Sequence, residues 1–213
     1  DGQKMSKSKK NYPDPNIIFH KYGADAMRFY LMNSPVVRAD DLRFAEKGVE
    51  EIVKKLLLPL WNAYSFFVTY ANIDNWNSEK KKEKFSPSHQ LDQWILAELS
   101  SLVENVDQKL SEYKLDEATK EFIPFLDKLT NFYIRRSRRR FWKSEVDGDK
   151  NEAFQTLYTV LKTFVQLLAP ISPFLTEHIW QNLRLEKEEK SLHFCLFPES
   201  KNFTDNPDLR KKI

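Results

Sequence analysis

Along most of the chain apolar residues recur at three- and four-residue steps, and strict alternation is rare, so helices are the expected elements. The segment ADAMRFYLM (24–32) predicts a short amphipathic helix after a loop FHKYG. Pro35 and the β-branched pair Val36–Val37 predict an extended connection. From Lys47, the residues Val49, Ile52, Val53, Leu56, Leu60, Ala63, Tyr64 and Phe67 share one helical face, and Pro59 should kink that helix. After a polar connection over 75–88, Leu91, Ile95, Leu99, Leu102, Val106 and Leu110 form a second stripe, with Asp92, Glu98, Glu104 and Lys109 outside it.

Asp116 is the expected cap of a third segment running through Ala118, Phe122, Phe125, Leu129, Phe132 and Tyr133, bent at Pro124. The turn VDGDKN ends it. The helix expected over 152–169 is apolar nearly all round, which marks a central position. Ser172 and Pro173 predict the start of the last helix, with the serine as its cap. SLHFCLF (191–197) reads as strand-like, and the tail fades into polar residues. The expected fold class is mainly α, an antiparallel helical bundle over 47–190, behind a connector over 1–46 and before a C-terminal extension over 191–213.

Composition narrows the chemistry. Only four glycines occur in 213 residues, in keeping with few hairpins. A single cysteine, Cys195, leaves no disulfide framework or zinc ribbon, and the four histidines lack metal-ligand spacing, so no metal site is expected. Cys195 and FFVTY (66–70) read as structural. No apolar run approaches the ~20 residues that span a bilayer, so no membrane partner is expected. No signal peptide is visible, and a reduced intracellular setting is expected.

Net charge is only +3, but the cations are clustered. Lys4, Lys7, Lys9 and Lys10 crowd the first ten residues, and five arginines with Lys143 fill 135–143 without an acid. Lys4 and Lys7, with Ser6 and Ser8, carry the ammonium and hydroxyl groups that grip a polyphosphate; a solvated basic terminus is the alternative. Arg135, Arg136, Arg138, Arg139 and Arg140 spread over about 200° of helix. Arg136 and Arg140 continue the stripe of Leu129 and Tyr133 and suit pairing with acids between helices. The others, beside Phe141 and Trp142, offer phosphate contacts next to stacking surfaces, or else form a solvated helix end favoured by its dipole.

KMSKS at 4–8 resembles the signature loop of class I aminoacyl-tRNA synthetases. NYPDP (11–15), YGADAMRFYL (22–31), SPVVRADDLRF (34–44), LTNFYIRRSRRRFW (129–142) and APISPFLTEHIWQNL (169–183) extend the likeness to the isoleucyl-tRNA synthetase family, of eukaryotic cytosolic type. The resemblance implies an enzyme that activates isoleucine with ATP, accompanied by Mg, and transfers it to tRNA(Ile) in the cytoplasm. It implies Lys7 first and Lys4 second as catalytic groups on the ATP phosphates, with Met5, Ser6 and Ser8 shaping the loop. It also implies tRNA contacts by Arg135, Arg136, Arg138, Arg139, Arg140 and Trp142 in an anticodon-binding bundle.

No HIGH-type motif occurs, and the nearest string, HKYG (20–23), lacks its second histidine. The chain is therefore expected to be a fragment that catalyses nothing alone and meets isoleucine only through a missing catalytic domain. A synthetase for valine, leucine or methionine, or a stand-alone helical RNA-binding module, is the alternative.

Overall fold

A computed structural model of the chain describes residues 14–78, 85–145, 147–203 and 206–212. Helix α1 (Pro15–Tyr22) starts where the Asp14 carboxylate accepts the Asn16 N–H at 2.9 Å and Pro15 presets the first helical φ. The predicted FHKYG loop is thus helical up to Tyr22. Only Gly23 breaks the chain, at φ 84°, and turns it into α2 (Ala24–Met32). No atom would meet a Cβ there, so the positive φ alone calls for glycine. Pro35–Arg38 form a 3₁₀ turn rather than an extended link, closed by Ala39 in the left-handed region. Arg38 at its end reaches Asp116 at 2.9 Å and Glu117 at 2.7 Å.

Helix α3 (Glu46–Ile52) passes through a π-turn, Val53–Leu57, into α4 (Leu58–Ile73). The Leu58 N–H donates to the Val53 carbonyl, and the wider turn immediately precedes Pro59. The helix therefore absorbs its proline in a bulge and continues. Helix α5 (Gln90–Ser111) is capped by His89 Nδ1, which accepts the Leu91 N–H at 3.1 Å. Next come α6 (Leu115–Thr119) and α7 (Phe122–Asp127), then a π-wound stretch, Lys128–Ile134, which runs into α8 (Arg135–Trp142). Asp116 lies inside the first turn of α6 and does not cap it; its carboxylate is taken by Arg38 and Lys120.

Asp147 accepts the Lys150 N–H at 2.8 Å and starts α9 (Gly148–Leu168), four residues earlier than the apolar pattern indicates. This helix is the centre of the bundle: Phe154, Leu157, Val160, Leu161, Phe164, Val165 and Leu168 are all buried. Helices α4, α5, α8 and α10 (Pro173–Leu183) pack around it. Full burial of each such side chain contributes about 1.5–3 kcal/mol. Asp92 and Glu98, expected outside the stripe of α5, are buried, because α5 is covered by α6 and the α7–α8 segment as well as by α9. The strand-like SLHFCLF contains instead a 3₁₀ turn, Leu192–Phe194, and no strand occurs among the described residues. The tail does not simply fade: α11 (Pro207–Lys212) packs on α5 and buries Leu209.

The connector is locked to the bundle at the turn between α9 and α10. Ser172 occupies the cap position of α10, but its buried hydroxyl has no hydrogen-bond partner among the described residues. Asp25 of α2 does the capping, accepting the N–H groups of Phe174 at 3.2 Å and Leu175 at 2.7 Å. One turn along α2, Arg28 donates to the carbonyls of Ile171 and Pro170, each at 3.0 Å. A single helix thus satisfies both the amides and the carbonyls that the turn leaves open.

Asp25→Ala is expected to lower the unfolding free energy by about 1–2 kcal/mol in urea titration, with Asp25→Asn milder; a change within error for both would show that the carboxylate does not hold α10. Burial pushes the Asp116 carboxyl up, but hydrogen bonds from Lys120 and Arg38 outweigh it and hold the pKa below its ordinary value. Its stabilisation is therefore complete above the unfolded-state pKa of about 3.9 and is lost as pH falls through the lower folded-state value. Asp116→Asn should flatten that part of the acid unfolding curve.

Candidate nucleic-acid interface

The RRSRRRFW run forms α8, and the π-wound stretch before it sets which side faces inward. The buried line runs through Leu129, Tyr133, Ser137, Arg140 and Phe141. Arg140 is thereby drawn into the bundle, as its stripe position suggested. Its Nη1 and Nη2 donate to the two carboxylate oxygens of Asp92, each at 2.7 Å. Its Nε donates to Asp149 Oδ1 at 2.8 Å, and Nη2 also reaches the Asp149 carbonyl at 3.0 Å. Tyr133 Oη donates to Asp92 Oδ1 at 2.7 Å. Asp92 and Tyr133 are fully buried, and the Arg140 side chain is 10% exposed.

Burial opposes charge on Arg140, yet the hydrogen bonds and field of Asp92 prevail and hold the guanidinium above its ordinary pKa. Burial, reinforced by the Asp92 charge, pushes the Tyr133 phenol well up, so it stays a donor. Lys150 closes the neighbouring end, with its ammonium on the Lys143 carbonyl at 2.7 Å and on Asp74 at 2.6 Å. These acids were not legible as partners. Asp92 sits in a first helical turn and Asp149 in an acidic turn, where solvated dipole-favoured carboxylates are also common.

The other arginines are placed differently. Arg135, Arg136, Arg138 and Arg139 are exposed and make no hydrogen bond or ion pair among the described residues. Arg136, expected to pair with an acid, lies on the rim of the buried line with its guanidinium 4.3 Å from the Phe132 ring centre. Arg138 stands 5.8 Å from the ring centre of Trp142, which is 52% exposed. Elsewhere on the bundle, Lys109, Lys120, Lys128, Lys143 and Lys162 each pair with a carboxylate. One face of α8 therefore carries four uncompensated guanidinium groups beside an aromatic ring. Lys4, Met5, Ser6, Lys7 and Ser8 lie outside the described residues. No group of three or more metal-ligating side chains, and no helix long and apolar enough to cross a membrane, occurs among the described residues.

Residues 92–213, which include α8 and both acids that hold it, match the family described as the anticodon-binding domain of tRNA ligase. The chain belongs to this family. Residues 1–43 match class I tRNA synthetases of the isoleucine, leucine, methionine and valine group. So Asp25 and Arg28 join a synthetase-matched segment to the anticodon-binding domain. Over its whole length the chain is 46% identical to an isoleucine–tRNA ligase of Treponema denticola and 48% identical to one of Chlamydia pneumoniae. It is likewise 46% identical to that of Protochlamydia amoebophila. It spans about a fifth of the length of these curated relatives, 20% of each. All three are bacterial, and the expected eukaryotic cytosolic type finds no support in them. The fold also resembles that of the agnB2 LeuRS of Agrobacterium radiobacter K84, solved as a ternary complex with tRNA and LeuAMS. The TM-score is 0.67 at 18% identity, over 98% of this chain and 23% of that one.

Within the anticodon-binding domain, Arg140→Ala leaves the Asp92 carboxylate buried and unpaired and should cost about 3–5 kcal/mol in urea unfolding. Arg140→Lys, which cannot reproduce the bidentate fork, should recover only part of this. Arg139→Ala, made on the open face of the same helix, should fall within about 0.5 kcal/mol of the parent protein.

Proposed function

We propose that this chain is the part of an isoleucine–tRNA ligase that carries the ATP-phosphate loop and binds the anticodon region of tRNA(Ile). The observation that carries the reading is the open face of α8: Arg135, Arg136, Arg138 and Arg139, without carboxylate partners among the described residues, beside the half-exposed Trp142. Uncompensated guanidinium groups on a rigid helix offer forked donors to phosphates. The identity to isoleucine–tRNA ligases over the whole chain supports isoleucine as the amino acid.

In the whole enzyme isoleucine reacts with ATP, accompanied by Mg, to give the aminoacyl-adenylate and pyrophosphate; the aminoacyl group then passes to tRNA. Lys7 and Lys4 would offset the charge that develops on the phosphates, on a loop shaped by Met5, Ser6 and Ser8. Residues 1–46 act as the connector from the catalytic fold, 47–190 as the anticodon-binding bundle and 191–213 as its extension, in the cytoplasm. Arg140 contributes by holding α8 in place, and contact with RNA falls to its exposed neighbours.

Titration with tRNA(Ile) at several salt concentrations tests this. The chain should bind it in a salt-dependent manner, and more tightly than a non-cognate tRNA. Changing Arg135, Arg138 and Arg139 together to alanine should weaken binding and lower the log–log salt slope by about 0.7–0.9 for each phosphate that the variant no longer neutralises. An unchanged slope in a folded triple variant would assign the arginines to solvent.

A further inference from the structure

We infer that the apolar cleft between the α1–α2 junction and the starts of α4 and α10, together with the outer face of α1, is where the catalytic body of the whole ligase rests on the bundle. The inference depends on the reading above, that the chain is part of such a ligase, and adds to it a docking surface away from the arginine face of α8.

The cleft encloses about 390 Å³. Tyr22, Leu57, Leu58, Trp61, Phe174 and Leu175 supply its large side chains. Leu58 and Trp61 stand one turn apart on the same side of α4, just past the π-turn, and both are exposed. Phe174, in the first turn of α10, is 67% exposed. The wall is already ordered: the Trp61 ring lies 5.2 Å from that of Tyr64 and 5.7 Å from that of His178, so little freedom is left to lose on docking. Asp25 is the single charged residue in the lining, and its carboxylate is spent on the amides of α10. With no cation among its lining residues, the cleft offers phosphates nothing and suits an apolar partner.

Helix α1 continues this surface. Ile18 is buried against the bundle, whereas its neighbours Ile17 and Phe19 are 59% and 43% exposed. A helix with apolar side chains turned both ways is built to be covered on both. Phe19 lies one turn before Tyr22, on the side that leads into the cleft.

The place of the cleft selects its occupant. Helix α1 belongs to the segment 1–43 that matches class I synthetases, and α10 to the segment 92–213 that matches the anticodon-binding domain. The cleft therefore prolongs the seam that Asp25 and Arg28 close between these two parts. This chain makes up 20% of the length of its curated relatives. A body joined to the bundle through the same chain meets the cleft at an effective concentration of the order of millimolar, so a modest apolar surface is enough to hold it. A second copy has no such tether and needs about 20–30 residues a side, against the handful present here.

The test compares this chain with the whole ligase that contains it. Leu58→Cys and Phe174→Cys are made in both, and alkylation by a maleimide is followed peptide by peptide in the mass spectrometer. Both thiols should react readily in the chain and at least about tenfold more slowly in the whole ligase, where they are reached only through transient opening. Arg139→Cys, on the open face of α8, should react alike in both. Hydroxyl-radical footprinting of Phe19, Trp61 and Phe174 in the two unaltered proteins should show the same protection, and this arm stands even if a variant folds poorly. Equal reactivity in both proteins overturns the inference. So does protection in the chain alone, which assigns the cleft to a second copy if it grows with concentration and to the chain's own residues if it does not. Protection of the whole ligase that appears only with tRNA assigns the surface to RNA and overturns it as well. Isoleucine-dependent ATP–pyrophosphate exchange by the whole ligase checks the underlying reading separately: exchange without protection sinks the docking surface alone, and absence of exchange sinks the ligase reading and the occupant with it.

Discussion

The arrangement of α8 depends on one buried ion pair. Arg140 grips both oxygens of Asp92 while Tyr133 donates to the same carboxylate, which is itself fully buried. Two charges taken out of water repay their desolvation only with good geometry and further hydrogen bonds, which here come from Asp149 and Tyr133. A leucine at position 140 would bury as readily. It would not fix which of five neighbouring positions turns inward, whereas a bidentate fork onto one carboxylate does. Once Arg140 is inside, Arg136 lies on the rim against Phe132, Arg138 lies in water near Trp142, and Arg135 and Arg139 are left exposed by the helical period alone.

The helices that meet this pair are not uniform. Two π-wound stretches, Val53–Leu57 and Lys128–Ile134, interrupt otherwise regular turns. The first precedes Pro59, whose ring and missing donor an ideal α-turn does not accommodate. The second runs directly into the arginine helix and adjusts its phase relative to α5 and α9. Local irregularity thus serves to aim side chains, while the apolar surface of α9 supplies the common core.

Much of this was legible in the sequence and some was not, for physical reasons. The stripe through Leu91, Leu99 and Val106 and the all-round apolar character of α9 point to their helices directly, because burial and the helical period coincide there. The start of α1 is harder to see although Asp14–Pro15 is a strong helix-start signal, since FHKYG ends in a glycine that reads equally well as a loop. The 3₁₀ turn at Pro35–Arg38 wins over the β preference of Val36 and Val37 because the ends of the turn are tied down, Arg38 on Asp116 and Ser34 on the Leu31 carbonyl. Contacts between distant elements are the least accessible. Asp92 reads as solvated because a single helix shows only one apolar face, and α5 is covered on more than one. Ser172 reads as a cap because its type and place are right, and nothing local reveals a carboxylate arriving from α2.

That borrowed cap ties the beginning of the described chain to its end. Asp25 and the amides it receives are 149 and 150 residues apart. The corner between α9 and α10 therefore cannot reach its native polar balance by local folding, however well its own turn forms. During synthesis the carboxylate emerges first and waits for its donors until nearly the whole bundle has been made. Closing so long a loop costs only slightly more entropy than closing a short one, and the hydrogen bonds it brings are complete only when the connector and the last helices are both in place.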